Sequence, residues 1–267
     1  MQPLRNKHKS LITNHIQNNK HMKVSIITIA YNSGKSIADA IDSVLGQTYP
    51  NIEYIVVDGQ SKDDTMDIVK SFGTRITKHI SEPDKGIYDA LNKGIRLAGG
   101  DVVGFLHSDD IFAGPDVIAD AVALFSEKQT DSIYGDLQYV YKNDTSRVFR
   151  NWKAGSFSMQ KLRFGWMPPH PTFYVKKQVY DQYGLFNTDF RIAADYENML
   201  RFLGKHRIST AYLPRVMVKM RVGGASNRSL KNIIQKSSED LRAMRINNFG
   251  NIITLAGKNF RKLNQFL

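Results

Sequence analysis

Residues 81–110 read SEPDKGIYDALNKGIRLAGGDVVGFLHSDD, and this stretch decides the fold. The apolar residues of Gly86–Ala98 recur at helical spacing, so we expect a helix with one polar face. A glycine pair then predicts a tight turn, and the apolar run Val102–Leu106 predicts a buried strand. The strand leads directly to two adjacent carboxylates, Asp109 and Asp110. Carboxylates at the end of a strand predict a site for a metal ion and a phosphorylated ligand.

The preceding residues repeat the same unit. Val24–Ile29 predicts a buried strand, and apolar residues at helical spacing follow it over Ile37–Leu45. Tyr54–Val57 predicts a second strand, Asp63–Phe72 a helix and Ile76–Ile80 a short third strand. Strands that alternate with helices predict a doubly wound α/β fold, with a mainly parallel sheet flanked by helices.

Polar side chains follow each of these strands. Tyr31 and Asn32 come after the first strand, Asp58 after the second, and Asp109 with Asp110 after the fourth. The carboxyl ends of parallel strands meet at one edge of a sheet, where ligands bind. We therefore expect these side chains to lie close together.

The remainder of the chain predicts smaller elements and an irregular segment. In chain order these are a helix over Pro115–Glu127, a strand over Ser132–Leu137, a hairpin over Gln138–Arg150, an irregular pocket-lining loop over Trp152–Pro171, a strand over Thr172–Val175, a helix over Asp195–Leu203, a strand over Val216–Met220, and basic helices over Leu230–Asn247 and Ile252–Leu267.

Composition limits the class of protein. A chain of 267 residues with 42% hydrophobic residues can bury a sizeable core. It has no cysteine, which excludes disulfides and a cysteine nucleophile. Its longest apolar runs are far shorter than the roughly 20 residues that a membrane-spanning helix needs. Residues 1–22 form a polar, basic leader that we expect to be flexible, and they lack the apolar core of a secretory signal. A cytoplasmic location is expected.

The formal net charge of +12 favours anionic partners. Basic residues concentrate in Arg5–Lys23 and Arg215–Lys262. We expect no nucleic-acid partner, because zinc-finger spacing and RNP-like aromatic motifs are missing from the sequence. The basic helices predict either peripheral contact with an anionic membrane or an ordinary solvated cap.

Four motifs, taken in order, resemble those of the family 2 glycosyltransferases, and bacterial enzymes of exopolysaccharide, colanic acid or O-antigen synthesis in particular. They are Val24–Asn32, Val56–Thr65, Lys85–Gly94 and His107–Asp110. The resemblance implies the GT-A fold. It also implies a glycosyltransferase domain over residues 23–228 and a basic helical extension over residues 229–267.

The resemblance assigns a donor site. Asp58 matches a residue that hydrogen-bonds the nucleotide base, and Tyr31, beside Asn32, matches one that packs on that base. The Lys85–Gly94 block lies near the donor in the family, which implies that Asp89 and Lys93 contact its ribose or phosphates. Each assignment has a structural alternative. Asp58 also suits a turn that enters a helix, Tyr31 also suits core packing, and Asp89 and Lys93 also suit a solvated helix face.

The resemblance also implies a metal site. Asp109 and Asp110 match the end of the family's DxD element, whose carboxylate binds Mg²⁺ or Mn²⁺ between the donor phosphates. His107 stands where many relatives carry aspartate, so Asp109 is the expected ligand and Asp110 its helper. A turn-forming cap is the alternative. The glycine-rich Arg221–Ser226 is expected to close over the diphosphate.

Arg191–Glu197 resembles the acceptor-side motif, in which an aspartate deprotonates the acceptor hydroxyl. Asp195 is therefore the expected catalytic base, with Glu197 in reserve, although a helix N-cap would also suit Asp195. His170 resembles a position near the acceptor.

These expectations combine into an inverting transfer of sugar from a nucleotide-diphosphate donor, most simply a UDP-sugar, to a hydroxyl of a glycan or polyprenyl-linked glycan. The reaction would belong to cell-surface polysaccharide synthesis at the cytoplasmic membrane face. A sugar-phosphate nucleotidyltransferase would need a glycine-rich phosphate signature near the first strand, which Ala30–Gly34 does not supply. A nucleotide-sugar or glycan-binding protein without turnover is the other alternative, against which the intact Asp109, Asp110 and Asp195 argue.

Overall fold

The computed structural model describes residues 22–222 and 230–263. Within these ranges the strands are β1 (Val24–Ala30), β2 (Ile52–Asp58), β3 (Lys78–Ser81), β4 (Val102–Phe105), β5 (Asp110–Phe112), β6 (Ser132–Tyr141), β7 (Asp144–Trp152), β8 (Tyr174–Lys176) and β9 (Thr210–Arg221). The helices are α1 (Ile37–Leu45), α2 (Thr65–Ser71), α3 (Ile87–Leu97), α4 (Val117–Lys128), α5 (Met159–Arg163), α6 (Lys177–Tyr183), α7 (Ala194–Met199), α8 (Leu230–Ile246) and α9 (Ile252–Leu263).

The strands form one sheet, in the order β3-β2-β1-β4-β8-β6-β9-β5, with β7 beside β6. The first four strands pair in parallel, and β6 is parallel to β9. Strand β8 is antiparallel to both β4 and β6, and β5 is antiparallel to β9. The predicted α/β class, with helices flanking the sheet, is confirmed.

Strand β1 lies at the centre of the parallel half and is buried on both faces. Ile27 packs in one hydrophobic cluster with Leu91 of α3, and Ile26 packs in another with Ile41 of α1. A Cβ atom added at Gly94 of α3 would lie 2.4 Å from the Ile27 side chain, so the absence of a side chain there allows the helix to approach the strand. The alternating side chains of β1 therefore hold helices against both faces of the sheet.

The glycine pair before β4 makes the predicted tight turn. A Cβ atom at Gly100 would lie 2.7 Å from the carbonyl oxygen of Lys23, so no larger residue fits without a shift. The Gly100 amide donates to Ser25 Oγ at 2.9 Å, and the Gly99 amide donates to a carboxylate oxygen of Glu53 at 2.6 Å. The turn is thus held against β1 and β2.

Glu53 is a buried charge that joins three strands. It is 2% exposed and accepts hydrogen bonds from Ser25 Oγ at 2.6 Å, Lys23 Nζ at 3.1 Å and Lys78 Nζ at 3.0 Å. Burial tends to raise its pKa, but the hydrogen bonds from Ser25, Gly99 and the two lysines outweigh burial and lower the pKa to about 2. Glu53 is therefore ionised at neutral pH.

Several boundaries differ from the predictions. The predicted third strand begins later, at Lys78, because Gly73–Arg75 forms a 3₁₀ turn. Asp110 does not end a loop after β4 but opens the short strand β5, where it pairs with Met220. The predicted irregular loop contains α5 and a 3₁₀ turn over His170–Thr172. A strand as short as β5 has no readable periodicity of its own, so only its partner β9 defines it.

The C-terminal helices pack on the same core as the sheet. Ala243 and Met244 of α8 are buried in the cluster that contains α3, and Phe249 follows them. Within the described ranges, no helix combines the length and the apolar character that a bilayer crossing needs. The expected leader and the glycine-rich residues after Val222 lie outside the described residues.

Replacing Glu53 tests this charged junction. We expect Glu53→Gln to lower the free energy of unfolding at pH 7 by about 3 kcal/mol, because the carboxyl pKa is about 2 in the folded chain against an ordinary 4.5. A depressed carboxyl pKa stabilises the fold fully above about pH 4.5, and this stabilisation is lost as pH falls toward 2. Urea unfolding at pH 7 and pH 3 measures both effects.

The control is Glu127→Gln on α4, which removes an exposed carboxylate beside Lys128. This variant should change stability by less than about 1 kcal/mol. Equal stabilities of Glu53→Gln and the wild type at pH 7 would contradict the assignment.

Candidate functional site

The loops after β1, β2 and β4 meet at the carboxyl edge of the sheet. Ala30 pairs with Asp58 at the ends of β1 and β2, and the Asn32 amide then donates to Ser61 Oγ at 2.8 Å. Hydroxyl oxygens of Ser33 and Ser108 lie 2.8 Å apart and join the β1 and β4 loops. The structure therefore brings the predicted strand-end residues to one edge.

Asp58 is fully buried at this edge. Its carboxylate accepts hydrogen bonds from the Ser61 amide at 3.0 Å, Ser61 Oγ at 2.5 Å and Ser81 Oγ at 2.6 Å. These contacts hold the β2 loop against the end of β3. Contact of Asp58 with a nucleotide base stays a prediction.

Tyr31 presents an open aromatic surface beside that loop. Its side chain is 63% exposed, which does not fit the alternative of core packing. A Cβ atom at Gly59 would lie 2.5 Å from Asp84 Oδ2 and 3.3 Å from Tyr31 Cδ2. The exposed ring of Tyr31, the backbone of Gly59 and the carboxylate of Asp84 thus lie side by side. This arrangement suits a planar ligand with polar edges. Asp84 was not assigned from the sequence as a ligand-binding residue.

Asp89 and Lys93 stabilise the loop that precedes α3. Asp89 Oδ2 accepts a hydrogen bond from the Lys85 amide at 3.0 Å. Lys93 Nζ donates to the Pro83 carbonyl at 2.6 Å and pairs with Glu82 at 3.0 Å. The observed contacts give both residues a local structural role, and their contact with a donor stays a prediction.

Asp110 is buried beside an arginine that sequence analysis did not assign to the site individually. Arg221 is also buried, and its amide donates to Asp110 Oδ1 at 3.3 Å. Its guanidinium donates to the main-chain oxygen of Asp109 at 2.9 Å and to Asp39 Oδ2 at 2.5 Å. Burial and the neighbouring Asp109 charge raise the pKa of Asp110. In the sequence, the only sign that Arg221 belongs to the site is its position at the start of the glycine-rich segment Arg221–Ser226.

The carboxylates of Asp109 and Asp110 suit a divalent cation that takes its remaining ligands from a substrate and from water. Within the described part of the chain, no three His, Cys, Asp or Glu side chains form a complete metal site. A Mg²⁺ ion, however, commonly takes one or two carboxylates and completes its shell with phosphate oxygens and waters. Asp109 is partly exposed, and the buried Oδ2 of Asp110 has no hydrogen-bond partner among the described residues.

Asp195 lies in the first turn of α7. It is the second helical residue, and the N-cap is Ala193, so the alternative that Asp195 caps the helix is wrong. Its Oδ1 accepts a hydrogen bond from the Tyr196 amide at 2.8 Å and lies 3.4 Å from the Tyr88 hydroxyl oxygen, which donates its hydrogen to the Ile192 carbonyl at 2.7 Å. Both of these contacts involve Oδ1, which leaves Oδ2 for a ligand.

Glu197, the reserve base, is less available. It is buried, pairs with Arg201 at 3.1 Å and accepts a hydrogen bond from Asn247 at 3.2 Å. Its carboxylate is thus already bound by a guanidinium and an amide, which leaves it less accessible to an acceptor hydroxyl.

Two histidines connect the β4 end with α7. The rings of His107 and His170 are 6.0 Å apart, and His170 also stacks on Phe105 at 5.5 Å. Burial lowers the pKa of His170 to about 4, against an opposing effect of the Asp195 charge. Burial also lowers the pKa of His107, while the charges of Asp109 and Asp195 both oppose that shift. The candidate metal ligand and the candidate base therefore both lie within electrostatic reach of His107.

Comparison with known proteins identifies the family. The model of the family described as Glycosyl transferase family 2 matches residues 25–184. An uncharacterized glycosyltransferase of Mycobacterium tuberculosis is 36% identical over 183 residues, which cover 67% of this chain and 68% of the relative. A PGL/p-HBAD biosynthesis glycosyltransferase of Mycobacterium bovis is 32% identical over 209 residues, which cover 76% of this chain and 78% of the relative.

Two solved structures share the fold. The crystal structure of Staphylococcus aureus TarS 1–349 in complex with UDP matches with a TM-score of 0.67 and 21% identity, covering 85% of this chain and 65% of that chain. The mannosyltransferase PcManGT of Pyrobaculum calidifontis, in complex with GDP-Man and Mn²⁺, matches with a TM-score of 0.60 and 17% identity, covering 90% of this chain and 69% of that chain. The chain thus spans slightly less than two thirds of the TarS chain.

The strand-end motifs, the sheet topology and the matched family model agree. The chain belongs to glycosyl transferase family 2 and has the GT-A fold.

Proposed function

We propose that the chain is an inverting glycosyltransferase that moves a hexosyl group from a UDP-sugar to a hydroxyl of a glycan or polyprenyl-linked glycan, in cell-surface polysaccharide synthesis. The observation that carries the proposal is the meeting of the β1, β2 and β4 loops at one edge of the sheet, where the Tyr31 ring is exposed and Asp109 and Asp110 follow β4. Such an edge would offer the nucleotide base an aromatic platform and the diphosphate a site beside the two carboxylates.

The donor would bind with its base against Tyr31 and Asn32, while Asp58 accepts a hydrogen bond from the base. Asp89 and Lys93 would contact its ribose or phosphates. UDP bound to TarS and GDP-Man bound to PcManGT support a nucleotide-sugar donor in this fold. The exposure of the Tyr31 ring supports the stacking role.

Asp109, helped by Asp110, would hold Mg²⁺ or Mn²⁺ at the diphosphate. When bound, the cation would offset the negative charge that develops on the departing nucleoside diphosphate. The oxygen-only character of the two carboxylates and the Mn²⁺ bound to PcManGT support this assignment.

Asp195 would accept the proton of the acceptor hydroxyl through Oδ2. A sugar hydroxyl is a poor nucleophile, and proton removal at the moment of attack lowers the barrier. Attack from the face opposite to the nucleotide would invert the anomeric configuration. The hydrogen bond from the Tyr196 amide to Oδ1 supports this role, because it orients the carboxylate.

We also propose peripheral contact with the anionic cytoplasmic face of a membrane. Phe164, Ile252 and Ile253 are 49%, 70% and 64% exposed, and Phe164 and Ile253 line the same shallow cavity. Arg163 and Arg245 are exposed nearby in the sequence. Apolar side chains beside arginines suit the interface of an anionic bilayer.

Replacing Asp195 tests turnover and the base together. We expect Asp195→Asn to lower kcat for UDP release from UDP-sugars, with acceptor present, by about 10²- to 10⁴-fold, because the proton acceptor is lost. The dissociation constant of UDP should remain within about two-fold of the wild-type value. The matched control is Asp67→Asn, which neutralises an exposed aspartate on α2.

Two results would contradict different parts of the proposal. Full activity of Asp195→Asn would exclude Asp195 as the base. Binding of donors by the wild type without release of UDP, over a panel of nucleotide sugars and acceptors, would indicate a binding protein without turnover.

Metal removal tests the role of Asp109. We expect EDTA to abolish UDP release and added Mn²⁺ or Mg²⁺ to restore it. Asp109→Asn should raise the metal concentration for half-maximal activity by at least about ten-fold, because a carboxylate ligand becomes a neutral amide. Activity that is unchanged in EDTA, or an unaltered metal requirement in Asp109→Asn, would contradict the assignment.

Vesicle co-sedimentation tests the membrane contact. We expect the wild type to bind vesicles that contain anionic phosphatidylglycerol, and the triple variant Phe164→Ser/Ile252→Ser/Ile253→Ser to bind at least about five-fold more weakly, since the apolar anchors are lost. The control Val148→Ser/Phe149→Ser removes exposed apolar residues of β7 and should bind normally. A wild type that stays in the supernatant would exclude the contact.

A further inference from the structure

We propose that Glu239 of α8 is a positioning residue that holds the loop carrying the catalytic base; the inference rests on the role proposed above for Asp195. Glu239 is 9% exposed. Its Oε1 accepts a hydrogen bond from the Arg191 amide at 3.2 Å, and its Oε2 accepts from the amides of Ile192 at 2.8 Å and Ala193 at 2.9 Å. One carboxylate thus binds three consecutive amides, and Asp195 follows two residues later.

The local sequence explains why a distant residue is needed. The N-cap amide and the amides before it have no acceptor within the helix, so they need acceptors from elsewhere in the chain. The N-cap of α7 is Ala193, and Arg191 and Ile192 precede it. Glu239 supplies an acceptor from 46 residues away in the chain. The orientation of the first turn of α7, and of Asp195 within it, therefore depends on α8.

The loop is held from two directions. The Tyr88 hydroxyl of α3 donates to the Ile192 carbonyl at 2.7 Å and lies 3.4 Å from Asp195 Oδ1. Glu239 binds the amide of the same Ile192. Ile192 is thus bound through its carbonyl by α3 and through its amide by α8. These two hydrogen bonds fix the direction in which the following Asp195 faces the acceptor.

Glu239 is itself fixed and charged. Gln235, one helical turn earlier, donates to its Oε1 at 3.0 Å. Burial tends to raise the Glu239 pKa, but the hydrogen bonds from the Ile192 amide, Gln235 and the other two amides outweigh burial and hold the pKa below its ordinary value. An ionised carboxylate makes stronger hydrogen bonds to amides than a neutral group does.

The neighbouring residue Asp240 provides a matched control. It is buried on the same helix and pairs with Lys258 of α9 at 2.7 Å and with Lys236 at 3.5 Å. In the described chain it makes no hydrogen bond to the loop before α7. Asp240 reaches α7 only indirectly, through Lys258, whose Nζ lies 3.2 Å from the centroid of the Tyr196 ring. Asp240→Asn therefore perturbs α8 while it keeps all three hydrogen bonds from Glu239 to the loop before α7.

The experiment compares Glu239→Ala, Glu239→Gln and Asp240→Asn in the full chain. We measure kcat and KM for UDP release, the dissociation constant of UDP, the melting temperature, and amide hydrogen exchange of the peptide that spans residues 188–199. Glu239→Ala should accelerate exchange in that peptide and lower kcat by about 10- to 100-fold, since a displacement of about 1 Å costs rate on that scale. UDP affinity should stay within about two-fold. Glu239→Gln keeps one acceptor oxygen and should show an intermediate kcat.

The proposal is overturned if Glu239→Ala retains wild-type kcat, or if Asp240→Asn lowers kcat as much at a similar loss of melting temperature. The failure of the proposed function is recognised separately. If the wild type does not release UDP, or if Asp195→Asn is fully active, the role of Asp195 fails whatever Glu239 does. Unchanged hydrogen exchange in Glu239→Ala would overturn the positioning role without reference to activity.

Discussion

Parallel pairing of β1 with β2 on one side and β4 on the other determines which loops can meet. The ladder of backbone hydrogen bonds aligns Ala30 with Asp58, so β1 and β2 end together, and it aligns Phe105 with Ile27, so β4 ends earlier and its loop passes beside the end of β1. A shift of one residue would exchange the side chains on the two buried faces of β1, and the packing of Ile26 and Ile27 into opposite clusters opposes that shift. The site is a consequence of this register.

Buried charges complete the arrangement at two points. At the amino end of the strands, Glu53 holds β1, β3 and the glycine turn together. At the carboxyl end, Arg221 joins the last strand β9 to the main chain of Asp109 and the side chain of Asp39. Ions leave water at a cost, so each of these groups persists only because several partners satisfy it. The second network brings the C-terminal half of the sheet up to the β4 loop.

The acceptor side depends on the end of the chain. Asp195 and Glu239 come from separate segments, and Glu239 reaches the loop before Asp195 because α8 packs on the same core as α7. The loops at the carboxyl edge thus come from local strand-loop-helix units, whereas the proposed base is placed by long-range contacts.

The sequence alone determined the alternation of strands and helices, the family and the meeting of Tyr31, Asp58 and Asp109 at one edge. These features follow from local periodicity and from the rule that parallel strands end together. Only the tertiary structure decided that Asp110 opens a buried strand, that Ala193 caps α7, and that Glu53, Arg221 and Glu239 are the groups that hold the framework. Each of those roles depends on partners many residues away. A single sequence contains no local pattern that shows which distant residues become neighbours in the fold.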